Sequence, residues 1–213
     1  MKVHNIQSFR LYPKLCKVIF TFIILFLGIT AFSEATKAEQ IALFEISDAS
    51  DQSLKQSSVN WAIGQLLDAL HKKGYDTKIK YNLEGIHENV YGILITPAGS
   101  KFAETIAESR GVKIPNTSES LALIAGKIKN EPVLMVTGHD MRGLVYGILE
   151  LTDRITYSEN PMAMIKELDV SIEEAENSLR SITRLFVSEI EDKSWFYDKE
   201  FWKSYLSMLI TQR

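Results

Sequence analysis

Cysteine is almost absent from this sequence, because Cys16 is the only one among 213 residues. An intramolecular disulfide needs two cysteines, so the chain must fold without that crosslink. The three later histidines, His71, His87 and His139, are too scattered along the chain to predict a metal site. The sequence also lacks a G-x-S-x-G motif and a recognisable serine, histidine and aspartate arrangement. We therefore predict no metal, no cofactor and no catalytic residue in this chain.

Clusters of lysine and arginine are also missing beyond the N-terminal segment. Without residues 1–38, the chain carries 19 Lys and Arg against 26 Asp and Glu, a formal charge of −7. Proteins that bind nucleic acids usually present a basic face to the phosphate backbone. A nucleic-acid partner is therefore not expected.

The N-terminal segment has the pattern of an export signal. Four basic residues precede an apolar run at residues 18–32 (VIFTFIILFLGITAF), which has the length of a signal-peptide core and is short for a membrane span. Small-residue cleavage sites follow, ending at Ala35 and at Ala38. We predict a signal peptide at 1–38, a secreted or periplasmic location, and no membrane span after cleavage. The alternative is an uncleaved membrane anchor.

Strand and helix signals alternate after the signal segment. Residues 41–46 (IALFEI), 77–81 (TKIKY) and 91–96 (YGILIT) predict strands, the last of them central because it is apolar on both faces. Ser100 is a suitable cap for a short helix that ends near Gly111. A longer helix is predicted between the first two strands by apolar residues at helical spacing, namely Val59, Ile63, Leu66, Leu67 and Leu70.

An antiparallel hairpin is predicted next. Residues 120–128 (SLALIAGKI) and 131–137 (EPVLMVT) are joined by Lys129-Asn130, a length that suits a hairpin turn. The hairpin adds antiparallel strands to a chain in which strands and helices alternate. We therefore predict an α/β (α+β) sandwich. Its sheet is mixed, and helices pack on it.

The stretch GHDMRGLVYGILEL at residues 138–151 raises the question of phosphate binding, since it has three glycines within ten residues. The spacing of Gly138, Gly143 and Gly147 matches neither the dinucleotide fingerprint nor the phosphate-binding loop. Leu144 stands where the lysine of that loop belongs. A phosphate site is therefore not predicted.

Packing gives a better interpretation of the same glycines. Gly138 would turn the chain out of the strand, and Asp140 would cap a helix that runs to about Thr156. Gly143 and Gly147 are four residues apart on one face of that helix, where a missing side chain lets the helix axis approach the sheet. We interpret the glycines as packing residues.

The hairpin and the helix together carry a family resemblance. The segment SLALIAGKIKNEPVLMVTG, followed by GHDMRGLVYGILELTDRI, resembles the small α/β domain that precedes the catalytic barrel of several secreted glycoside hydrolases, including β-hexosaminidases and α-glucuronidases. Those enzymes have Arg-Gly near the start of the helix and Tyr-Gly after it. Arg142-Gly143 and Tyr146-Gly147 match these positions. The resemblance implies a glycosidase-type N-terminal α/β domain at 39–160.

The C-terminal segment resembles the start of the barrel in such enzymes. After a linker at 161–178, residues 179–190 (LRSITRLFVSEI) are predicted as a strand and 191–197 (EDKSWFY) as its loop. Residues 198–212 (DKEFWKSYLSMLITQ) are predicted as a helix, with Asp198 as its N-cap. One such unit cannot close a (β/α)8 barrel, which needs about 250 residues. We therefore interpret 179–213 as the start of a truncated TIM barrel.

Some side chains of this first barrel unit are candidates for sugar binding. Carboxylates there would accept hydrogen bonds from sugar hydroxyls, and the indole would stack on a pyranose face. The alternative is a solvated acidic turn with the tryptophan in the core. The candidates for substrate binding are Arg184, Glu189, Glu191, Asp192 and Trp195.

Two classes of function remain open from the sequence. The first is the non-catalytic N-terminal portion of an exported glycoside hydrolase-like protein, whose catalytic carboxylates would lie in the missing C-terminal barrel. The second is a stand-alone exported domain that binds a carbohydrate or a protein. The expected partner is a carbohydrate in the first class and a carbohydrate or a protein in the second, and the sugar and its linkage are not predicted.

Overall fold

The computed structural model describes residues 40–48, 51–86, 90–177, 181 and 193–212. The strands in these ranges are β1 (Gln40–Glu45), β2 (Ile79–Lys80), β3 (Val90–Ile95), β4 (Leu121–Ile128), β5 (Glu131–Gly138) and β6 (Val170–Glu173). The α-helices are α1 (Ser57–Lys72), α2 (Lys101–Ser109), α3 (Met141–Tyr157), α4 (Pro161–Glu167), α5 (Lys193–Phe196) and α6 (Lys199–Gln212). No helix in these ranges is both long enough and apolar enough to cross a membrane. The predicted signal peptide lies outside the described residues.

The strands form one mixed sheet in the order β2-β1-β3-β5-β4-β6. β1 pairs in parallel with β2 and β3, and β3 pairs in parallel with β5. β4 pairs antiparallel with both β5 and β6. The predicted fold class, a mixed sheet with helices packed on it, is therefore confirmed.

Helices cover both faces of this sheet. Leu43 and Ile93 point from neighbouring strands into a core shared with α1 and α3. Phe44 and Leu94, one position along each strand, point into a second core that includes α2. Side chains of a strand alternate between the faces, so the central strands can be apolar throughout only if both faces are covered.

The predicted cap at Ser100 and the predicted hairpin turn agree with the structure. α1 ends at Lys72, and Gly74 follows with φ of 89°, a conformation that favours glycine. Ser100 caps α2 by accepting a hydrogen bond from the backbone N–H of Ala103 at 3.1 Å. The hairpin turn between β4 and β5 places Lys129 and Asn130 at φ of 51° and 70°. A two-residue turn with both φ values positive matches the twist of the two strands.

Some boundaries differ from the sequence interpretation. The strand predicted at 77–81 is only two residues long, and among the described strands β2 pairs with β1 alone, at the edge of the sheet. Segment 161–178, interpreted as a linker, contains α4 and β6, and β6 extends the sheet beside β4. Both elements were missed because seven and four residues are too short for a clear periodic pattern.

The C-terminal segment is helical where it is described. Residues 193–196, predicted as part of a loop, form the single turn α5. Asp198 caps α6 as predicted, since its Oδ1 accepts hydrogen bonds from the backbone N–H groups of Glu200 and Phe201 at 2.9 and 3.2 Å. α6 contacts α3. The predicted strand at 179–190 lies outside the described residues, apart from Ser181.

Candidate functional site

The β5–α3 junction, residues 138–147, is held by the two carboxylate oxygens of Asp140. Oδ1 accepts a hydrogen bond from the N–H of Gly143 at 2.8 Å, which caps α3 as predicted. Oδ2 accepts from the hydroxyl of Ser118 at 2.8 Å and from the N–H of Glu119 at 3.1 Å. One carboxylate therefore fixes both the start of the helix and the segment that enters β4.

The glycines of this junction lie against backbone. A Cβ atom added to Gly143 would come well under 3.0 Å from the carbonyl oxygen of Ser120, and one added to Gly138 would overlap the backbone at Leu144. At Gly147 the approach is milder, at 3.2 Å from the carbonyl oxygen of Thr137. The close approach explains why residues without a side chain occupy these positions.

Arg142 and Tyr146 belong to the same junction, but neither is fully buried. Arg142 forms an ion pair with Glu119 at 2.6 Å, and its side chain is largely exposed. Tyr146 is half-buried and packs on the core between the sheet and α1. The Asp140 carboxylate already accepts the N–H of Gly143 at the start of α3, so a phosphate there would meet a like charge. The junction is a structural unit.

The sugar contacts predicted from the sequence can be followed only in part. Arg184, Glu189, Glu191 and Asp192 lie outside the described residues. Trp195 is half-buried, and its ring centroid lies 5.0 Å from that of Phe201 and 5.3 Å from that of Trp202. The indole therefore packs in an aromatic cluster on α5 and α6.

A cavity that sequence reasoning did not find opens beside β1 and α1. This β1–α1 cavity has a volume of about 570 Å³. Its rim carries the exposed side chains of Lys55, Asn60 and Tyr81. The described lining residues are Glu45, Ile46, Ser47, Leu54, Lys55, Asn60, Ile63, Gly64, Leu67, Ile79 and Tyr81. Volumes of about 300–1,000 Å³, mostly apolar with a few polar groups, are typical of small-molecule sites.

The topology explains where this cavity lies. Glu45 is the last residue of β1, and Tyr81 follows directly after β2, the parallel neighbour of β1. The cavity therefore lies at the carboxyl ends of two parallel strands, under the first half of α1. Ligands of open α/β sheets bind at this edge.

Glu45 is the chemically distinctive residue of the β1–α1 cavity. Its carboxylate makes no hydrogen bond or ion pair within the described part of the chain. Desolvation by burial raises the pKa of the Glu45 carboxyl above its usual value. Its position at the end of the apolar run IALFE was the only sequence signal for it.

A second cavity, of about 630 Å³, has three basic residues in its lining. Arg110 and Lys166 line it together with Lys127, Tyr91 and Pro132. Arg110 is already held by an ion pair with Asp169. Desolvation by burial raises the pKa of Tyr91. Within the described ranges, no group of three or more His, Cys, Asp or Glu side chains is arranged to hold a metal ion.

Comparison with known proteins gives structural neighbours but no family. No family model matches the chain, and no curated protein matches it. Among solved structures, the chain is similar to a GH138 enzyme targeting pectin rhamnogalacturonan II, at 21% identity and a TM-score of 0.48 over 80% of this chain and 17% of that one. It is also similar to a GH115 4-O-methyl-α-glucuronidase with specificity for decorated arabinogalactans, at 20% identity and a TM-score of 0.35. That match covers 55% of this chain and 14% of the enzyme.

Both neighbours are glycoside hydrolases, and the chain spans less than a fifth of the length of each. At these identities and TM-scores, the likeness concerns the fold of a small part of those enzymes. The activities named here are those of the two enzymes.

Proposed function

We propose that this chain is the non-catalytic N-terminal portion of an exported protein that acts on polysaccharides or glycans. The observation that carries the proposal is the β4–β5 hairpin entering α3, with Gly143 and Gly147 against the sheet. This unit supports the resemblance to the domain that precedes the barrel in secreted glycoside hydrolases. In this role the sheet and its helices would support a catalytic barrel.

The surface of α6 also supports this proposal. Within the described residues, α6 buries none of its side chains, although its sequence is rich in apolar residues. Leu206 and Met208 are about half exposed, at 52% and 49%. In a barrel enzyme, the first helix packs between its strand and the neighbouring helices. We propose that these side chains of α6 pack against the rest of such a barrel.

Assays of hydrolysis test the non-catalytic role. The purified chain should not hydrolyse a panel of chromogenic hexosaminides and glucuronides. The acid and base carboxylates of the enzymes that it resembles come from later barrel strands, and a glycosidase needs two carboxyl groups about 5 to 9.5 Å apart. Turnover by this chain that disappears in Glu189→Gln would refute the proposal.

A stand-alone exported binding domain is the second candidate function. The observation that favours it is the β1–α1 cavity, whose described lining residues all belong to the α/β domain. Such a cavity could serve a binding protein without any barrel. A secreted product that is stable and fully functional as this chain alone would support the second candidate over the first.

A further inference from the structure

The β1–α1 cavity contains a carboxylate that the fold itself does not use. Glu45 lies half-buried in the cavity wall, and no described residue donates a hydrogen bond or brings a positive charge to it. Lys55, the one cation among the described lining residues, is not within ion-pair distance of it. Burying an unpaired carboxylate destabilises a fold. An unpaired carboxylate that destabilises the fold in this way is typical of binding and catalytic sites.

Gly64 is a second residue that the fold does not explain. It lies in the interior of α1, where glycine costs about 1 kcal/mol relative to alanine. Its φ is not in the left-handed range, and a Cβ added to it would meet no atom within 4 Å. Packing therefore does not require glycine at this position. Gly64 lines the β1–α1 cavity, and the missing side chain leaves that space open.

The lining of the cavity indicates the kind of ligand. The Glu45 carboxylate can accept hydrogen bonds from two neighbouring hydroxyl groups, and the Asn60 amide both donates and accepts. Tyr81 is 73% exposed on the rim and offers an aromatic face. Ile63 and Ile79 supply an apolar wall for C–H groups. Hydroxyls on one edge and an apolar face on the other are the features of a pyranose ring.

We propose that the β1–α1 cavity is a binding site for a neutral sugar unit, with Glu45 and Asn60 as hydrogen-bonding residues and Tyr81 as a stacking residue. The cavity and its unpaired carboxylate are observed in the structure and do not depend on the proposed function. The choice of a sugar among small polar ligands rests on the proposed function. The described lining residues of the site all lie between Glu45 and Tyr81, and the site requires no barrel.

Saturation-transfer NMR with the purified protein tests this site. The probes are the methyl glycosides of a neutral hexose, a 6-deoxyhexose and a uronic acid. At least one neutral glycoside should receive saturation from the wild type, whereas Gly64→Trp should abolish the signal by filling the cavity. Glu45→Gln should weaken binding by about tenfold or more, because it replaces a charged acceptor. Gln65→Trp is the matched control, since it adds the same ring to the exposed neighbouring position of α1.

Each outcome of this experiment decides the question. Binding by the wild type and by Gln65→Trp, with loss in Gly64→Trp, supports the site. No binding of any neutral glycoside to the wild type, or equal binding to Gly64→Trp, overturns it. If Gly64→Trp fails to fold by circular dichroism, Glu45→Gln decides in the same way. These results do not depend on whether a barrel follows in the gene, so the cavity and the proposed function can fail separately.

Discussion

Two glycines in helices should respond in opposite directions to the same substitution. Gly64 lies in the interior of α1 with open space where a Cβ would be, whereas Gly143 lies in the first turn of α3 against the carbonyl oxygen of Ser120. Helix propensity alone favours alanine at both positions, by up to about 1 kcal/mol. Only the contact with the sheet distinguishes them.

The expected magnitudes follow from these surroundings. Gly64→Ala should raise the free energy of unfolding by up to about 1 kcal/mol, because no steric contact opposes the higher helix propensity of alanine. Gly143→Ala should lower it by about 1–3 kcal/mol, because the Cβ forces helix and strand apart. The Ser120 carbonyl oxygen that it meets accepts a hydrogen bond from the N–H of His139 at 3.0 Å, so this backbone cannot move freely.

Urea unfolding of the two variants and the wild type, followed by circular dichroism, measures both effects. The slope of the free energy with urea concentration should be the same for all three proteins, so the midpoints can be compared directly. Gly64→Ala serves as the control for helix propensity. A Gly143→Ala variant as stable as the wild type, or more stable, would refute the packing interpretation of the β5–α3 junction.

Three further predictions concern the cap, the buried carboxylate and the N-terminus. Asp140→Ala should destabilise the protein by about 1–2 kcal/mol in urea, and Asp140→Asn by less, because asparagine keeps a capping oxygen. Glu45→Gln should be more stable than the wild type at pH 7. Because the pKa of Glu45 is raised in the folded protein, the stability of the wild type falls as pH rises above the unfolded-state pKa of this carboxyl. The extra stability of Glu45→Gln should therefore vanish below that pKa. Extra stability that persists at low pH would contradict an origin in the buried charge. Mass spectrometry of the exported protein should show that residues 1–38 are removed, whereas recovery of Met1 in a membrane fraction would support the anchor.

The elements that the sequence predicted well have strong local signals. α3 was expected from Asp140 to about Thr156 and is observed at Met141–Tyr157, because a capping carboxylate and an apolar stripe mark a helix independently of its surroundings. Glu150 and Arg154 form an ion pair at 2.6 Å, at the four-residue spacing that favours such pairs on a helix. The hairpin was recognisable for the same reason, because a two-residue turn joins two apolar strands.

The β1–α1 cavity could not be predicted in this way. Glu45, Gly64 and Tyr81 are far apart in sequence, and only the parallel pairing of β1 with β2 and the packing of α1 bring them together. Sequence periodicity indicates which face of an element is apolar, but not which elements become neighbours. Glu45 therefore looked like the polar end of a strand, and Gly64 looked like an ordinary weak position in a helix.

The reading frame downstream of the codon for Arg213 tests the central claim most directly. Sequencing of the transcript from the source organism would show whether translation continues after this residue. A frame that continues through further alternating strands and helices, with carboxylates at the ends of later strands, is the result that we predict. A stop codon directly after Arg213 in the native transcript, with a stable secreted product of this size, would contradict the claim that this chain is the N-terminal portion of a larger carbohydrate-active protein.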